Sequence, residues 1–402
     1  MTKIDNSSIS LKVIRQNPMY TYLLVLSMAA AAGFQGWRTL FNNFAVDEIG
    51  LNGFNVGFVQ SVREIPGFLS MLVVYLLLVF KEHRLSAYSV MFLGLGVALT
   101  GLFPSYFGLA TTTMIMSIGF HYFETTNQSL TLQYFSHQQA PIVFAQIRSI
   151  TAVSNIGVGA LIFGMSAYFT YQQQYIVLGA FAIIIGAWAL SRNPADDSKP
   201  AQHKKLLIRK KYWLFYMLNF LSGARRQIFV VFAVFLLVKK YEFSIQEITI
   251  LFVANNIIAY FFNPLIAKAI NRFGERKVLS MEYASLFLIF IAYATVENRW
   301  IVAGLYILDH IFFNFSIAIK TFFQKTADPK DIAPSMAMAF TINHIAAVVI
   351  PVVGGALWLL NWKIPFISAA ILCLCSLYFA QRIRIPGREV SVECPIEKEV
   401  SN

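Results

Sequence analysis

RNPADDSKPAQHKKLLIRKK, residues Arg192 to Lys211, is the longest polar interruption in an otherwise apolar chain. The segment mixes acids with bases, contains two prolines and shows no apolar period, a composition typical of a linker. Six apolar runs of roughly membrane-spanning length precede it and six follow it. The sequence therefore predicts two six-helix halves, residues 1–191 and 212–382, with 192–211 as the linker and 383–402 as a tail.

The composition is that of a protein that crosses a membrane many times. The chain is 57% hydrophobic and 13% charged, with a mean hydropathy of +0.60, whereas soluble domains are about 25% charged. Its apolar runs are longer than a soluble core helix and are not confined to one helical face. We therefore predict an all-α polytopic membrane protein. The twelve expected transmembrane helices are residues 19–46, 53–80, 85–103, 105–135, 140–168, 172–191, 212–238, 245–270, 278–296, 300–324, 333–360 and 364–381.

The distribution of basic residues indicates the orientation of the chain. With the N-terminus inside, the cytoplasmic segments hold 21 Lys/Arg and the opposite side holds four. Because basic residues accumulate in cytoplasmic loops, both termini are expected to face the cytoplasm. The net charge of +12 then reflects topology and attraction to anionic lipids, and it does not predict a nucleic-acid partner. The short loops favour a bacterial inner membrane, and we expect a monomer.

The two halves carry matching short segments, which predicts a pseudo-symmetric duplication. The matches occur in the same order at offsets from 187 to 196 residues. Apolar helices use few residue types, but chance similarity of this kind does not readily explain four matches in order. They are Gly36-Trp37-Arg38 with Gly223-Ala224-Arg225, His121-Tyr122-Phe123 with His310-Ile311-Phe312, Ala140-Pro141 with Ala333-Pro334, and Gly159-Ala160-Leu161 with Gly355-Ala356-Leu357.

Two motifs resemble those of the major facilitator superfamily. NRFGERKVL, Asn271 to Leu279, is similar to the D/N-R-x-G-x-R-[KR] loop of that family, and PVVGG, Pro351 to Gly355, is similar to its P-x-x-G-G element. The equivalent first-half loop, Phe80 to Arg84, lacks the glycine and the aspartate. The resemblance implies a secondary transporter with alternating access, in which spans one, two, four and five and their second-half equivalents line a central cavity. It also assigns a conformational role to Asn271, Arg272, Gly274 and Arg276.

Most of the charged residues inside predicted spans fall in the spans that would line this cavity. A basic side chain at mid-bilayer costs about 2.5–3.5 kcal/mol on insertion scales, so it normally faces a bundle interior or water. Arg148 and Lys320 lie nearer the span ends and are expected to snorkel to the interface. The mid-span charges are Arg38, Arg63, Glu64, Glu124, Arg225, Arg226 and Asp309.

Arg225 and Arg226 are adjacent, and adjacent helical residues point about 100° apart. The repeat makes Arg225 the counterpart of Arg38. We therefore expect Arg38 and Arg225 to reach the cavity from opposite halves. Arg226 is expected either to bind substrate as well or to pair with an acid or a carbonyl group on a neighbouring helix.

The remaining candidates are divided by their chemistry. A desolvated carboxyl can carry a proton at neutral pH unless a cation opposes it, and histidine can relay protons or bind substrate. Permanent ion pairs and polar packing are the alternatives. The predicted substrate-binding residues are Arg38, Arg63, His121, Arg225, Arg226, Asn256, His310 and His344, and the predicted proton-coupling residues are Glu64, Glu124 and Asp309.

The planar fork of arginine suits carboxylate or phosphate. The sequence thus favours a secondary transporter for a small organic anion, and we expect transport to be coupled to protons. A multidrug/proton antiporter, a divalent-metal transporter and a non-transporting membrane sensor or scaffold are the alternatives. No HExxH, Gly-rich phosphate loop or G-x-S-x-G occurs, so we predict neither an enzyme nor a cofactor, and no resident metal site.

Overall fold

The computed structural model describes residues 11–51, 53–196, 198–200, 202, 208–243 and 245–385. Within these ranges every regular element is helical, which confirms the predicted all-α class. The predicted tail from residue 386 onward and linker residues 197, 201 and 203–207 lie outside the described residues.

The first half supplies the predicted spans one to six. Span one is α2 with a short preceding helix α1, span two is broken into α3 and α4, and spans three to six are single helices. The helices are α1 Leu11–Gln16, α2 Pro18–Asn43, α3 Gly53–Phe68, α4 Val73–Leu76, α5 Glu82–Thr100, α6 Tyr106–Tyr134, α7 Ala140–Met165 and α8 Tyr171–Leu190.

The second half supplies the predicted spans seven to twelve. Here spans seven and ten are the broken ones, and spans eight, nine, eleven and twelve are single helices. The helices are α9 Trp213–Ile228, α10 Val234–Lys239, α11 Ile245–Phe273, α12 Glu275–Thr295, α13 Arg299–Phe313, α14 Ile317–Thr326, α15 Ile332–Leu360 and α16 Ile364–Ala380. By length and hydropathy alone, six described helical segments qualify as membrane spans, and α16 is a shorter apolar helix.

Backbone irregularities occur in spans one, two and seven of the described chain. Pro66 lies inside α3, which ends at Phe68 and is followed by a 3₁₀ turn, Ser70–Leu72. Proline removes a main-chain donor and clashes with the preceding turn, which explains the break. Spans one and seven each continue into a π-helical turn, Phe44–Glu48 and Phe229–Ala233.

The two halves touch at the end of the molecule where the linker lies, which we call the linker end. The side chain of Gln324 on α14 donates to the carbonyl oxygens of Leu132 and Phe135, at 2.8 and 2.7 Å. These carbonyls belong to the C-terminal end of α6, where main-chain acceptors lack helical partners. Asn271 Nδ2 donates to the Gln138 carbonyl oxygen at 2.8 Å, and the Met71 amide donates to Thr341 Oγ1 at 2.9 Å. The halves are therefore closed against each other at the linker end.

Replacing Gln324 by alanine is expected to shift the protein toward a state that is open at the linker end. The change removes two hydrogen bonds between the halves, each worth about 1 kcal/mol, so the ratio of open to closed molecules should rise roughly 30-fold. Spin labels at Ser136 and Lys277, exposed positions on opposite halves, would report the change as longer distances in double electron–electron resonance.

Gln381→Ala is the matched control for this experiment. Gln381 bonds Arg276 and Ser280, all three within the second half, so its loss leaves the contact between the halves intact. Identical distance distributions for Gln324→Ala and the parent protein would contradict the role given to Gln324.

Candidate functional site

A central cavity lies between the halves and has two adjacent lobes of about 410 and 390 Å³, which share eight lining residues. Its described lining comes from spans one, two, four and five of the first half and spans seven, eight, ten and eleven of the second. None of the described lining residues belongs to span three, six, nine or twelve, as the family resemblance implied. The residues common to both lobes are Phe34, Arg38, Phe120, Glu124, Gln128, Arg148, Phe313 and Lys320.

The cavity is strongly cationic. Five Arg/Lys side chains and two carboxylates line the larger lobe among the described residues. Arg148 and Lys320 are among the five, so the expectation that they snorkel to the interface is wrong. The five cations are Arg38, Arg63, Arg148, Arg226 and Lys320, and the two acids are Glu64 and Glu124.

Arg63 is partly neutralised by its neighbour in the sequence. Its Nη2 lies 2.6 Å from Glu64 Oε1, and its Nε lies 3.2 Å from the same oxygen. Both side chains are about one-quarter exposed, at 22% and 25%. Glu64 Oε2 is left to face other groups in the cavity.

Arg148 joins the two halves through neutral partners. Its Nη1 donates to the carbonyl oxygen and to Oδ1 of Asn314, at 2.7 and 2.6 Å, and its Nη2 donates to Ser316 Oγ at 3.3 Å. Asn314 and Ser316 form the 3₁₀ turn between α13 and α14. Since neutral oxygens do not cancel its charge, Arg148 remains a net cation in the cavity wall.

The structure places the two arginines of span seven on different sides, and the expectation that Arg225 reaches the cavity is wrong. Arg225 is 3% exposed and does not line either lobe. Its Nη2 lies 3.6 Å from Glu282 Oε1, and its guanidinium stacks over the Tyr283 ring at 4.3 Å. Arg226 lines the larger lobe instead. The 100° phase between neighbours was correct in principle, but the repeat alignment assigned the cavity side to the wrong residue.

Glu282 is the buried acid that the sequence analysis passed over. The predicted span nine, 278–296, has Glu282 near its start, yet α12 begins at Glu275, so Glu282 lies two turns inside the helix. The side chain is fully buried. A carboxylate at that depth requires a cation on another helix, and this was the signal that would have identified Arg225 as its partner.

Asp309 lies away from the cavity as well. It is 2% exposed, does not line either lobe, and its Oδ2 has no hydrogen-bond partner among the described residues. The other predicted proton carriers, Glu64 and Glu124, do line the cavity, and Glu124 accepts from Gln128 Nε2 at 3.2 Å.

The predicted histidines separate into two places. His310 lines the smaller lobe with Asn256, and Asn256 Oδ1 accepts from Asn155 Nδ2 across the halves at 3.3 Å. His121 and His344 line the larger lobe and touch each other, with ring centroids 4.8 Å apart.

In the loop motif between spans eight and nine, Glu275 pairs with Lys325, and the four residues with a predicted conformational role contact neutral groups. Gly274 has a φ of +81° and caps the start of α12, a conformation that favours glycine. Asn271 reaches the first half, as described above. Arg276 binds Gln381 Oε1 at 3.1 and 3.2 Å, and Arg272 lies over the Phe273 ring at 5.3 Å. Asn271 is therefore the motif residue that bridges the halves in this state.

Comparisons with known proteins agree with this architecture. The family model of the Major Facilitator Superfamily matches residues 23–308 and 214–393. No curated protein matches significantly by sequence.

Several solved structures share the fold. A Major Facilitator Superfamily transporter, FucP, in the outward conformation has a TM-score of 0.73 at 12% identity, covering 91% of this chain and 99% of its own. The human organic anion transporter MFSD10 (TETRAN) has a TM-score of 0.72 at 13% identity, covering 90% and 98%. A bacterial homologue of the iron transporter ferroportin in the outward-facing state has a TM-score of 0.73 at 13% identity, covering 90% and 98%. Since the family model spans nearly the whole chain, this protein belongs to the Major Facilitator Superfamily and is a multi-pass membrane transporter.

Proposed function

We propose that this protein transports a small organic anion by alternating access and that transport is coupled to protons. The observation that carries the proposal is the cavity between the halves, lined by five cations and two acids. A cavity with this surplus of positive charge is a costly arrangement in a membrane unless an anion enters it.

Two of the arginines are available to a ligand. Among the described residues, neither Arg38 nor Arg226 forms an ion pair within 4.0 Å, whereas Arg63 is held by Glu64. A guanidinium presents a fork of donors that matches carboxylate or phosphate. Arg38 lies on α2 and Arg226 on α9, so one anion can be held by both halves.

The rest of the lining suits a small organic molecule. Phe34 and Phe120 stack at 4.1 Å and offer an apolar face, while Asn219, Gln227 and Asn343 offer neutral hydrogen-bonding groups. Cavities that combine apolar walls with a few placed polar groups are typical small-molecule sites.

The functions of two proteins of similar structure are compatible with both parts of the proposal. MFSD10 is an organic anion transporter, and the E. coli protein FucP is a fucose:proton symporter. In our protein the acids Glu64 and Glu124 line the same cavity as the arginines, so proton and anion binding can influence each other. We further propose a monomer in a bacterial inner membrane, with the termini and the linker end on the cytoplasmic side.

A divalent cation is a less favourable substrate on electrostatic grounds. The same lobe surrounds any ligand with five positive side chains, which repel a cation more strongly than two acids attract it. Because the lining is also aromatic, an apolar drug-like substrate is the alternative that the transport assay must distinguish from an organic anion.

Flux into proteoliposomes tests the proposal. Small carboxylates and phosphate esters are offered with and without a proton gradient, alongside their uncharged amides and matched organic cations. We expect uptake of an anion that rises when the gradient is imposed and falls to background in Arg38→Gln. Uptake limited to neutral or cationic compounds, or anion uptake that ignores Arg38→Gln, would contradict the proposal.

A further inference from the structure

Three titratable groups from both halves meet in the wall of the larger lobe. Glu64 comes from α3, His121 from α6 and His344 from α15, so the first half supplies two groups and the second half supplies one. One ring nitrogen or carboxylate oxygen of each lies within 4.8 Å of the others. The histidines are 6% and 3% exposed. We call Glu64, His121 and His344 the interface cluster.

The hydrogen bonding of His344 defines its tautomer. Its Nδ1 lies 2.9 Å from the carbonyl oxygen of Phe340, one turn earlier in α15. A carbonyl oxygen only accepts, so Nδ1 carries the hydrogen. In the neutral ring, Nε2 is then an unprotonated acceptor, and it lies 4.0 Å from Glu64 Oε2. Unless a proton occupies Nε2, the lone pair of this nitrogen faces the negatively charged carboxylate of Glu64.

The other two members of the interface cluster reinforce this need for a proton. His121 is buried and its Nδ1 has no hydrogen-bond partner among the described residues. Arg63 occupies Oε1 of Glu64 and leaves Oε2 toward the histidines. A buried polar atom without a partner, such as His121 Nδ1, is costly, and one added proton gives the cluster a donor.

We propose that the interface cluster binds the coupling proton and that the bound proton holds the halves in the linker-end-closed state. This deepens the proposed function and rests on it for the link to transport. A proton on His344 Nε2 donates toward Glu64 of the opposite half. Opening at the linker end separates α15 from α3, so it breaks this contact and releases the proton.

The charges around the interface cluster explain how a proton and an anion are coupled. Arg63 from α3 and Arg226 from α9 line the same lobe as the two histidines, and positive charges so close to the cluster oppose an added positive charge. A bound anion offsets these arginines, so it strengthens proton binding. By reciprocity, a bound proton strengthens anion binding by the same factor.

Gly67 supplies a steric test that leaves all three groups in place. A Cβ at this position would come 2.4 Å from Cδ2 of His344 and 2.7 Å from its Nε2. The helices α3 and α15 can approach closely only because residue 67 lacks a side chain. Gly67→Ala therefore moves the His344 ring away from Glu64 without changing the chemistry of either residue.

The experiment measures the pH dependence of the closed state without any substrate. The protein, freed of its three cysteines, is labelled at Ser136 and Lys277 in nanodiscs and titrated from about pH 8 to about pH 5. We expect the linker-end-closed fraction to rise as the pH falls. The rise should be lost in His344→Gln and Glu64→Gln and weakened in Gly67→Ala. His83→Gln is the matched control, since His83 is equally buried but lies outside the cavity, and it should titrate like the parent.

Two results overturn the proposal. One is an unchanged pH response in folded, monodisperse His344→Gln protein. The other is closure by micromolar Zn²⁺ at constant pH that His121→Gln abolishes, which would make the interface cluster a metal site. Because no anion is present, failure here is distinct from failure of the anion proposal, which is read separately from the flux of Arg38→Gln.

Discussion

Arg226→Gln is expected to weaken binding of the transported anion by about 30-fold or more and to reduce its uptake to background. Arg226 lines the larger lobe and has no ion-pair partner within 4.0 Å among the described residues. Truncating one partner of a buried charged hydrogen bond costs about 2–5 kcal/mol, which sets the lower limit. Arg226→Lys keeps the charge but loses the fork, so it should retain part of the affinity. Affinity is measured by ligand-dependent thermal stabilisation and uptake in proteoliposomes.

Arg192→Gln removes the same charge from a position outside the cavity and is the matched control. Arg192 is exposed at the linker end and lies over the Trp188 ring at 5.4 Å. The affinity of Arg192→Gln for the anion and its anion uptake should equal those of the parent protein. If both substitutions weaken anion binding equally, the effect comes from the general electrostatic field of the protein. The local role proposed for Arg226 is then contradicted.

Arg225, the adjacent residue, is expected to affect stability rather than binding. Arg225→Met leaves Glu282 buried without its cation, and breaking a buried pair in this way costs about 3–5 kcal/mol. The side chains of Arg225 and Glu282 are 4% and 1% exposed, so water cannot compensate. We expect a markedly lower Tm in detergent.

A double variant distinguishes the loss of this ion pair from a loss of side-chain packing. In Arg225→Met/Glu282→Leu both charges are gone, and the double variant should recover most of the lost Tm, because removing both partners of a buried pair is often neutral. A double variant that is as unstable as the sum of the two single variants would show that the pair has no coupling energy.

The fold was largely readable from the sequence, because membrane spans are long and their composition is distinctive. Predicted span four, 105–135, is observed as α6, Tyr106–Tyr134, and predicted span twelve, 364–381, is observed as α16, Ile364–Ala380. The family resemblance also anticipated which helices line the cavity, and the predicted mid-span charges all fall in those helices. These features depend on residue type and span number, which a sequence displays directly.

The rotation of each helix about its own axis could not be predicted in the same way. Arg225 and Arg226 differ by one residue, and the faces they occupy depend on how α9 packs against α12 and α15. A weak repeat could not fix that rotation. The acid that binds Arg225 was missed for a similar reason, since an error of a few residues in the start of span nine moved Glu282 from the interior to the edge.

Contacts through neutral groups were the least predictable. Gln324, Asn314 and Ser316 connect the halves through hydrogen bonds, yet neutral polar residues are common in membrane helices and carry no distinctive pattern. The Glu64–His344 contact likewise depends on the space provided by Gly67, which becomes visible only when α3 and α15 are placed together.

The most direct test of the account is the thermal stability of the purified parent and Arg226→Gln proteins against pairs of small anions and their uncharged amides. At least one carboxylate or phosphate ester should raise the Tm of the parent. At 100 times its Kd, such a ligand adds about 2.7 kcal/mol to the free energy of unfolding. Its amide should have no effect, and Arg226→Gln should not respond. Stabilisation by neutral or cationic compounds alone, or an equal response of both proteins to the anion, would contradict a cationic cavity built to bind anions.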